Sequence, residues 1–152
     1  MKDFEEAVST SKATAFTYRD GVLVSLLAAV PLRRRTLAAL RIRTHLVKSG
    51  DLWALDIPAE DTKGGQALEF PISPALSNRI DAYLKWFRAR IPGADAHDGL
   101  WASNQARPMG HGAIYQMVLR RTRDAFGFSV NLHRFRAEFG TAEDSNLIPM
   151  KG

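Results

Sequence analysis

The chain has 152 residues, of which 45% are hydrophobic and 24% charged, enough for one domain with a real core and too apolar for a disordered chain. It has no cysteine, which excludes a disulfide framework and a thiolate metal site, and its four histidines (45, 97, 111 and 133) lack ligand spacing, which argues against zinc. A net charge of +5 suits a polyanionic partner, and no apolar run reaches membrane-span length, so the expectation is a cytoplasmic protein with no membrane partner.

Residues 1–15 are polar and read as a flexible N-terminal segment. From Phe16 to Val30 the pattern is helical, with Leu23, Leu26, Leu27 and Val30 at i, i+3, i+4 and i+7 on one apolar face. Pro31 ends that helix or opens the next. Leu32 to Ile42 reads as a second helix in which Leu37 and Leu40 bury, while Arg33, Arg34 and Arg41 cannot all be buried unpaired.

The period then changes to that of strands. Leu46-Val47 and Leu52 to Ile57 are strand candidates joined by a turn at Lys48-Ser49-Gly50-Asp51, with Trp53, Leu55 and Ile57 on the core side. Pro58 to Gln66 is a polar loop with a Gly64-Gly65 pair, and Ala67 to Ile72 is a third strand. The result is a three-stranded antiparallel sheet with Lys63 in its second hairpin.

Ser73-Pro74 opens a helix over Ala75 to Arg90, with Leu76, Ile80, Tyr83, Leu84, Phe87 and Ile91 as its buried stripe. Residues 93–111 are loop-rich around an apolar Leu100-Trp101, and Trp101 reads as core. Gly112 to Phe126 is a further helix, with Ile114, Met117, Val118 and Ala125 inward and Arg120, Arg121 and Arg123 outward, capped by Gly127. A helix beginning near Leu132 would put His133 and Arg136 on one face. The predicted class is α+β, mainly helical with a small three-stranded antiparallel sheet.

This order of elements, with three motifs along it, resembles the catalytic domain of the tyrosine recombinase (phage integrase) family. Leu32 to Arg41 is similar to the family's G-L-R-x-x-E-L-x-x-L-R segment, with Pro31 in place of Gly and Thr36 in place of Glu. Thr62-Lys63-Gly64-Gly65, followed by Leu68 to Ile72, resembles its hairpin lysine and third strand. Leu132 to Arg136 resembles its H-x-L-R, with Phe135 for Leu. On this resemblance residues 16–136 are a partial catalytic domain and 137–152 a divergent tail.

The resemblance implies double-stranded DNA as partner and a site made of Arg33, Lys63, His133 and Arg136. Two arginines would clamp the non-bridging oxygens of a phosphodiester, where charge grows as the bond is attacked. Lys63 would protonate the leaving oxygen, and His133 would hydrogen-bond the phosphate or assist proton transfer. Arg34 is the rival of Arg33 by a register slip. Arg34, Arg41, Arg120, Arg121, Arg123 and Arg134 are candidates for tracking the DNA backbone; the plain alternative for such arginines is a solvated helix face. No metal or other cofactor is required.

The family's nucleophile is a tyrosine downstream of H-x-x-R, and residues 137–152 contain no Tyr, His or Trp. The expectation is therefore a truncated DNA-binding fragment that retains the phosphate-binding residues and is inactive alone in strand cleavage and rejoining. Family members also carry a separate helical domain that grips the other face of DNA, which the short N-terminal segment cannot supply, so binding should be weak and salt-dependent. Two other readings stand beside this one: a non-enzymatic DNA-binding or regulatory protein acting with an intact recombinase protomer, and an unrelated basic nuclease, which the lack of acidic metal ligands disfavours.

Overall fold

In the computed structural model of the protein, residues 12–126 are described. The apolar stripe around Leu23, Leu26 and Leu27 builds α1 (Lys12–Ala29), and all three leucines are completely buried. The helix begins at Lys12 rather than Phe16: Ala15 already lies fully inside the core, so the first turn is held by packing that the polar composition of the segment conceals. Val30 closes the last turn through its N–H to the Leu26 carbonyl (2.9 Å), and Pro31 follows.

The predicted helix over Leu32–Ile42 is two short ones, α2 (Arg34–Ala38) and α3 (Ile42–His45). The break has a tertiary cause. The Leu40 carbonyl accepts from Leu100 N–H (2.9 Å), Ile42 N–H donates to the Asp98 carbonyl (2.8 Å), and Arg41 forms a β-bridge with Gly99. These bonds replace the intrahelical ladder that propensity alone would continue.

Three strands follow: β1 (Leu46–Ser49), β2 (Leu52–Ile57) and β3 (Leu68–Pro71), an antiparallel meander in the order β1-β2-β3. Leu55 sits opposite both Leu46 and Phe70, and Asp56 opposite Glu69. Leu55 and Ile57 are fully buried, whereas Trp53, on the same side, is half-buried and donates its indole N–H to Asp81 (2.8 Å). Gly50, in the two-residue β1–β2 turn, has φ +64, a conformation glycine adopts without a Cβ penalty.

α4 (Pro74–Ala82) starts as its sequence indicates. Ser73 accepts a capping bond from Leu76 N–H (3.2 Å), and Pro74 occupies the first turn. The helix continues as one wide π turn over Tyr83–Phe87 and a 3₁₀ turn over Arg88–Arg90. Tyr83, Ile80 and Ile91 are buried as expected; Leu84 is only half-buried. Beyond a loop holding the buried Leu100-Trp101-Ala102, α5 (His111–Phe126) buries Ile114, Met117 and Val118. Ala125, expected inward on the same stripe, is exposed among the described residues.

The fold is thus α+β, mostly helical with one small antiparallel sheet. Among the described residues no helix is long and apolar enough to cross a membrane. The core gathers α1, the long helix after β3, the 100–102 segment and α5. Trp101 is its centre: the side chain is fully buried and its indole N–H donates to the Leu37 carbonyl (3.0 Å), which fixes α2 over the core.

Candidate nucleic-acid interface

Arg33 is the residue before α2, with extended backbone (φ −73, ψ 152), and its carbonyl accepts from Leu37 N–H at 2.9 Å. Leu32, Thr36 and Leu37 face inward and are buried, so the helical spacing turns Arg33 and Arg35 to solvent. Arg34 is half-buried, with its guanidinium 4.9 Å above the ring of Tyr115 on α5.

The β2–β3 connection supplies the second group of residues. Pro58 leads into a single 3₁₀ turn, Ala59–Asp61, and Thr62 then organises the bend. Its hydroxyl donates to the Gln66 carbonyl (2.9 Å) and accepts from Gln66 N–H (3.1 Å). Gly65, at φ +71, lets the chain reverse after Lys63, which is exposed.

These two segments line one open cleft of about 990 Å³. Pro31, Arg33, Arg34, Arg35, Thr36 and Ala39 come from the α2 segment, and Glu60, Asp61, Thr62 and Lys63 from the turn. The two sequence motifs that lie within the described residues therefore meet in space, and Arg33 and Lys63, 30 residues apart in number, share a surface.

The cations of the protein fall into two groups. Several are held by their neighbours. Arg19 pairs with Asp20 (2.8 Å) and donates to the Ala102 carbonyl, Arg88 donates to the carbonyls of His97 and Gly99, and Lys48 pairs with Asp81 (3.0 Å). Two of the arginines expected to track a DNA backbone belong to this group. Arg41 pairs with Asp98 at 2.9 Å; burial raises the Asp98 carboxyl, but the hydrogen bond and charge of Arg41 outweigh it and leave the group below its ordinary value. Arg121 pairs with Asp20.

By contrast, the side chains of Arg33, Arg35 and Lys63 make no hydrogen bond or ion pair with the described residues, and all three line the cleft. Three unpaired cations around one opening create a positive potential that an oligoanion would relieve. Arg120 is exposed and unpaired among the described residues, one residue from the held Arg121, and Arg123 is also exposed. Arg134, His133 and Arg136 lie outside the described residues.

Two contributors to the cleft, and one residue behind it, escape a reading of the chain in one dimension. Arg35 sits beside Arg33 and Arg34, with nothing in the motif to mark it. Asp61 precedes the hairpin motif by one residue. His45 is 4% exposed and lies behind Asp61: its Nε2 is 2.9 Å from Asp61 Oδ2, and its Nδ1 accepts from Arg41 N–H at 2.8 Å. Histidine-to-histidine spacing carries no signal of it, because its partners are a carboxylate and a backbone amide. Among the described residues no group of three His, Cys, Asp or Glu side chains could hold a metal ion.

The three tyrosines occupy packed positions. Tyr18 stacks on Phe87 with ring centroids 4.0 Å apart, Tyr83 is fully buried, and Tyr115 is half-buried beneath Arg34. No protein-family model, curated protein or solved structure matches the chain.

Proposed function

We propose that this chain binds the phosphodiester backbone of double-stranded DNA in the cleft between α2 and the β2–β3 turn, as the DNA-binding part of a tyrosine recombinase acting in DNA integration and recombination. The observation that carries the reading is the convergence of Arg33, Arg35 and Lys63 on one open cleft, with no described side chain holding any of them. Backbone phosphates present a row of oxygens to such a surface, and forked guanidinium donors match them. Arg33 would grip the phosphate oxygens and Lys63 would stand at the leaving oxygen. The parts of His133 and Arg136 rest on their H-x-x-R spacing alone.

A second reading, noncovalent DNA binding alongside an intact recombinase protomer, is favoured by the tyrosines. The hydroxyl of Tyr83 is committed to the Leu100 carbonyl at 2.8 Å, and the rings of Tyr18 and Tyr115 are committed to Phe87 and Arg34. One experiment tests both. The protein is incubated with a nicked duplex that traps covalent adducts, and the products are run on native and denaturing gels. Salt-sensitive retardation without an adduct, lost in Arg33→Ala/Lys63→Ala, is the result expected of noncovalent binding. An adduct lost in Tyr115→Phe would make the chain a complete strand-transfer enzyme. Absence of retardation at low salt rejects DNA as the ligand.

A further inference from the structure

The cleft that collects Arg33, Arg35 and Lys63 also contains a carboxylate, Asp61, which stands two residues from Lys63. A carboxylate in that place is a competitor for any phosphate. It would pair with the same cations, and an incoming anion would have to displace it.

Asp61 is not paired with a cleft cation. Its Oδ2 is 2.9 Å from Nε2 of His45, whose side chain is 5% exposed against 41% for Asp61. The imidazole is fixed from behind. Its Nδ1 accepts from Arg41 N–H (2.8 Å), the backbone donor at the start of α3, so the ring proton of the neutral form belongs on Nε2, aimed at Asp61. Arg41 is itself immobilised by its side-chain pair with Asp98 and by the bond from Ile42 N–H to the Asp98 carbonyl. A buried, oriented imidazole thus holds the one acidic group of the cleft that has a described partner.

The geometry points to His45 as a latch on the charge of the cleft: by holding the Asp61 carboxylate it keeps that group from neutralising Arg33, Arg35 and Lys63, and so sets the affinity of the cleft for a phosphodiester. The inference rests on the phosphate-binding reading above. His45 touches no ligand; it is a positioning residue acting through Asp61. It makes Asp61, one of the two acidic residues that line the cleft with Glu60, a control element rather than a defect.

Conservative replacements separate the two nitrogens of the ring. His45→Asn keeps an acceptor near Nδ1 and loses the donor toward Asp61. His45→Gln keeps a donor near Nε2. Asp61→Asn keeps an acceptor oxygen for His45 and removes the charge. Retention of duplex DNA at low salt is measured for each, with circular dichroism melts as a check on folding. The latch predicts that His45→Gln stays within about twofold of the parent and that His45→Asn weakens retention roughly fivefold, the effect of a carboxylate already in the cleft turning from His45 onto its cations. It further predicts that His45→Asn has no effect in the Asp61→Asn background, so that the double variant and Asp61→Asn retain DNA equally. A double variant weaker than Asp61→Asn by the factor that separates His45→Asn from the parent overturns the proposal, because a merely structural histidine acts whatever the charge at position 61.

If His45→Asn fails to fold, ¹⁵N NMR of the unmodified chain decides. The proton on Nε2, with a signal that moves in Asp61→Asn, supports the latch; the Nδ1–H tautomer overturns it. Failure of the parent chain to retain DNA rejects the phosphate-binding reading, while the tautomer measurement still reports on the His45–Asp61 contact by itself.

Discussion

Arg121 grips Asp20 with two bonds that converge on one oxygen, Nε at 2.9 Å and Nη2 at 2.8 Å from Oδ2, across 101 residues of chain. The opposite oxygen, Oδ1, accepts from Arg19, and the Asp20 side chain is only 3% exposed. α5 is therefore fastened to α1 by a nearly dry carboxylate between two guanidinium groups. Removing one partner of such a group leaves charge undercompensated. Arg121→Ala should lower stability by about 1–3 kcal/mol in urea melts, with Arg121→Lys recovering only part because it lacks the planar fork. Arg120→Ala, one position along on the exposed side, should stay within about 0.5 kcal/mol. Equal stability for Arg121→Ala and Arg120→Ala would show that the Asp20 pair contributes nothing.

Tyr83 predicts an alkaline limit to folding. Its hydroxyl donates to the Leu100 carbonyl at 2.8 Å, and burial pushes the phenol up to about 12, against which a backbone hydrogen bond from Ala102 works in the lowering direction. The unfolded phenol ionises near its ordinary value of about 10. Between the two values the unfolded state has lost a proton that the folded state retains. The stabilisation is thus complete below pH 10 and is lost as pH rises toward 12, on the order of 2–3 kcal/mol in all. Denaturant melts at pH 8, 10 and 11 should show this decline. Tyr83→Phe should cost about 1–2 kcal/mol at pH 8 and make the decline shallower. An unchanged slope in Tyr83→Phe would assign the alkaline loss to other groups.

The elements that the sequence announces are those whose cause is local. Leu23, Leu26 and Leu27 recur at helical spacing, Ser73-Pro74 carries both a cap and a first-turn proline, and Leu52 to Ile57 alternates; each element stands where those cues put it. Tyr83 is legible as core from its place on the Leu76–Ile91 stripe, and Trp101 from the apolar Leu100 beside it. What stays hidden depends on partners far along the chain. The helix break at Leu40–Arg41 is made by Asp98 and Leu100, and the role of Arg121 by Asp20, so neither leaves a mark at its own position. Within the site the same division holds. Arg33 and Lys63 stand in short motifs, but the state of a cation, held or unpaired, depends on which acid the fold brings to it. That is why Arg41 and Arg121 looked like Arg35 in the sequence and behave differently in the structure.

Thr62 holds the bend that carries Lys63, and its hydroxyl does so with two bonds to Gln66, one given to the carbonyl and one taken from the N–H. Thr62→Val keeps the shape and removes both. The turn should loosen at a cost of about 1 kcal/mol, seen as faster hydrogen exchange at Gln66, and DNA retention should weaken because Lys63 spends less time at the cleft. Thr62→Ser should restore both readouts. If exchange at Gln66 accelerates while retention is unchanged, Lys63 is not part of the binding surface.

Salt dependence tests the cleft most directly, because each phosphate neutralised releases a counterion. The slope of log affinity against log salt should fall by roughly one for each cleft cation removed, in Arg33→Ala, Arg35→Ala and Lys63→Ala separately. Arg33, Arg35 and Lys63 are exposed and their side chains make no bond to the described residues, so these changes should leave melting midpoints nearly where they were. Arg41→Ala supplies the contrast. Arg41 is equally a surface arginine, but its side chain pairs with Asp98, so its replacement should cost stability through the lost pair while altering the slope little. A surface in which the four substitutions changed the slope equally would mean that DNA responds to net charge spread over the whole molecule, and that the cleft has no special part in binding.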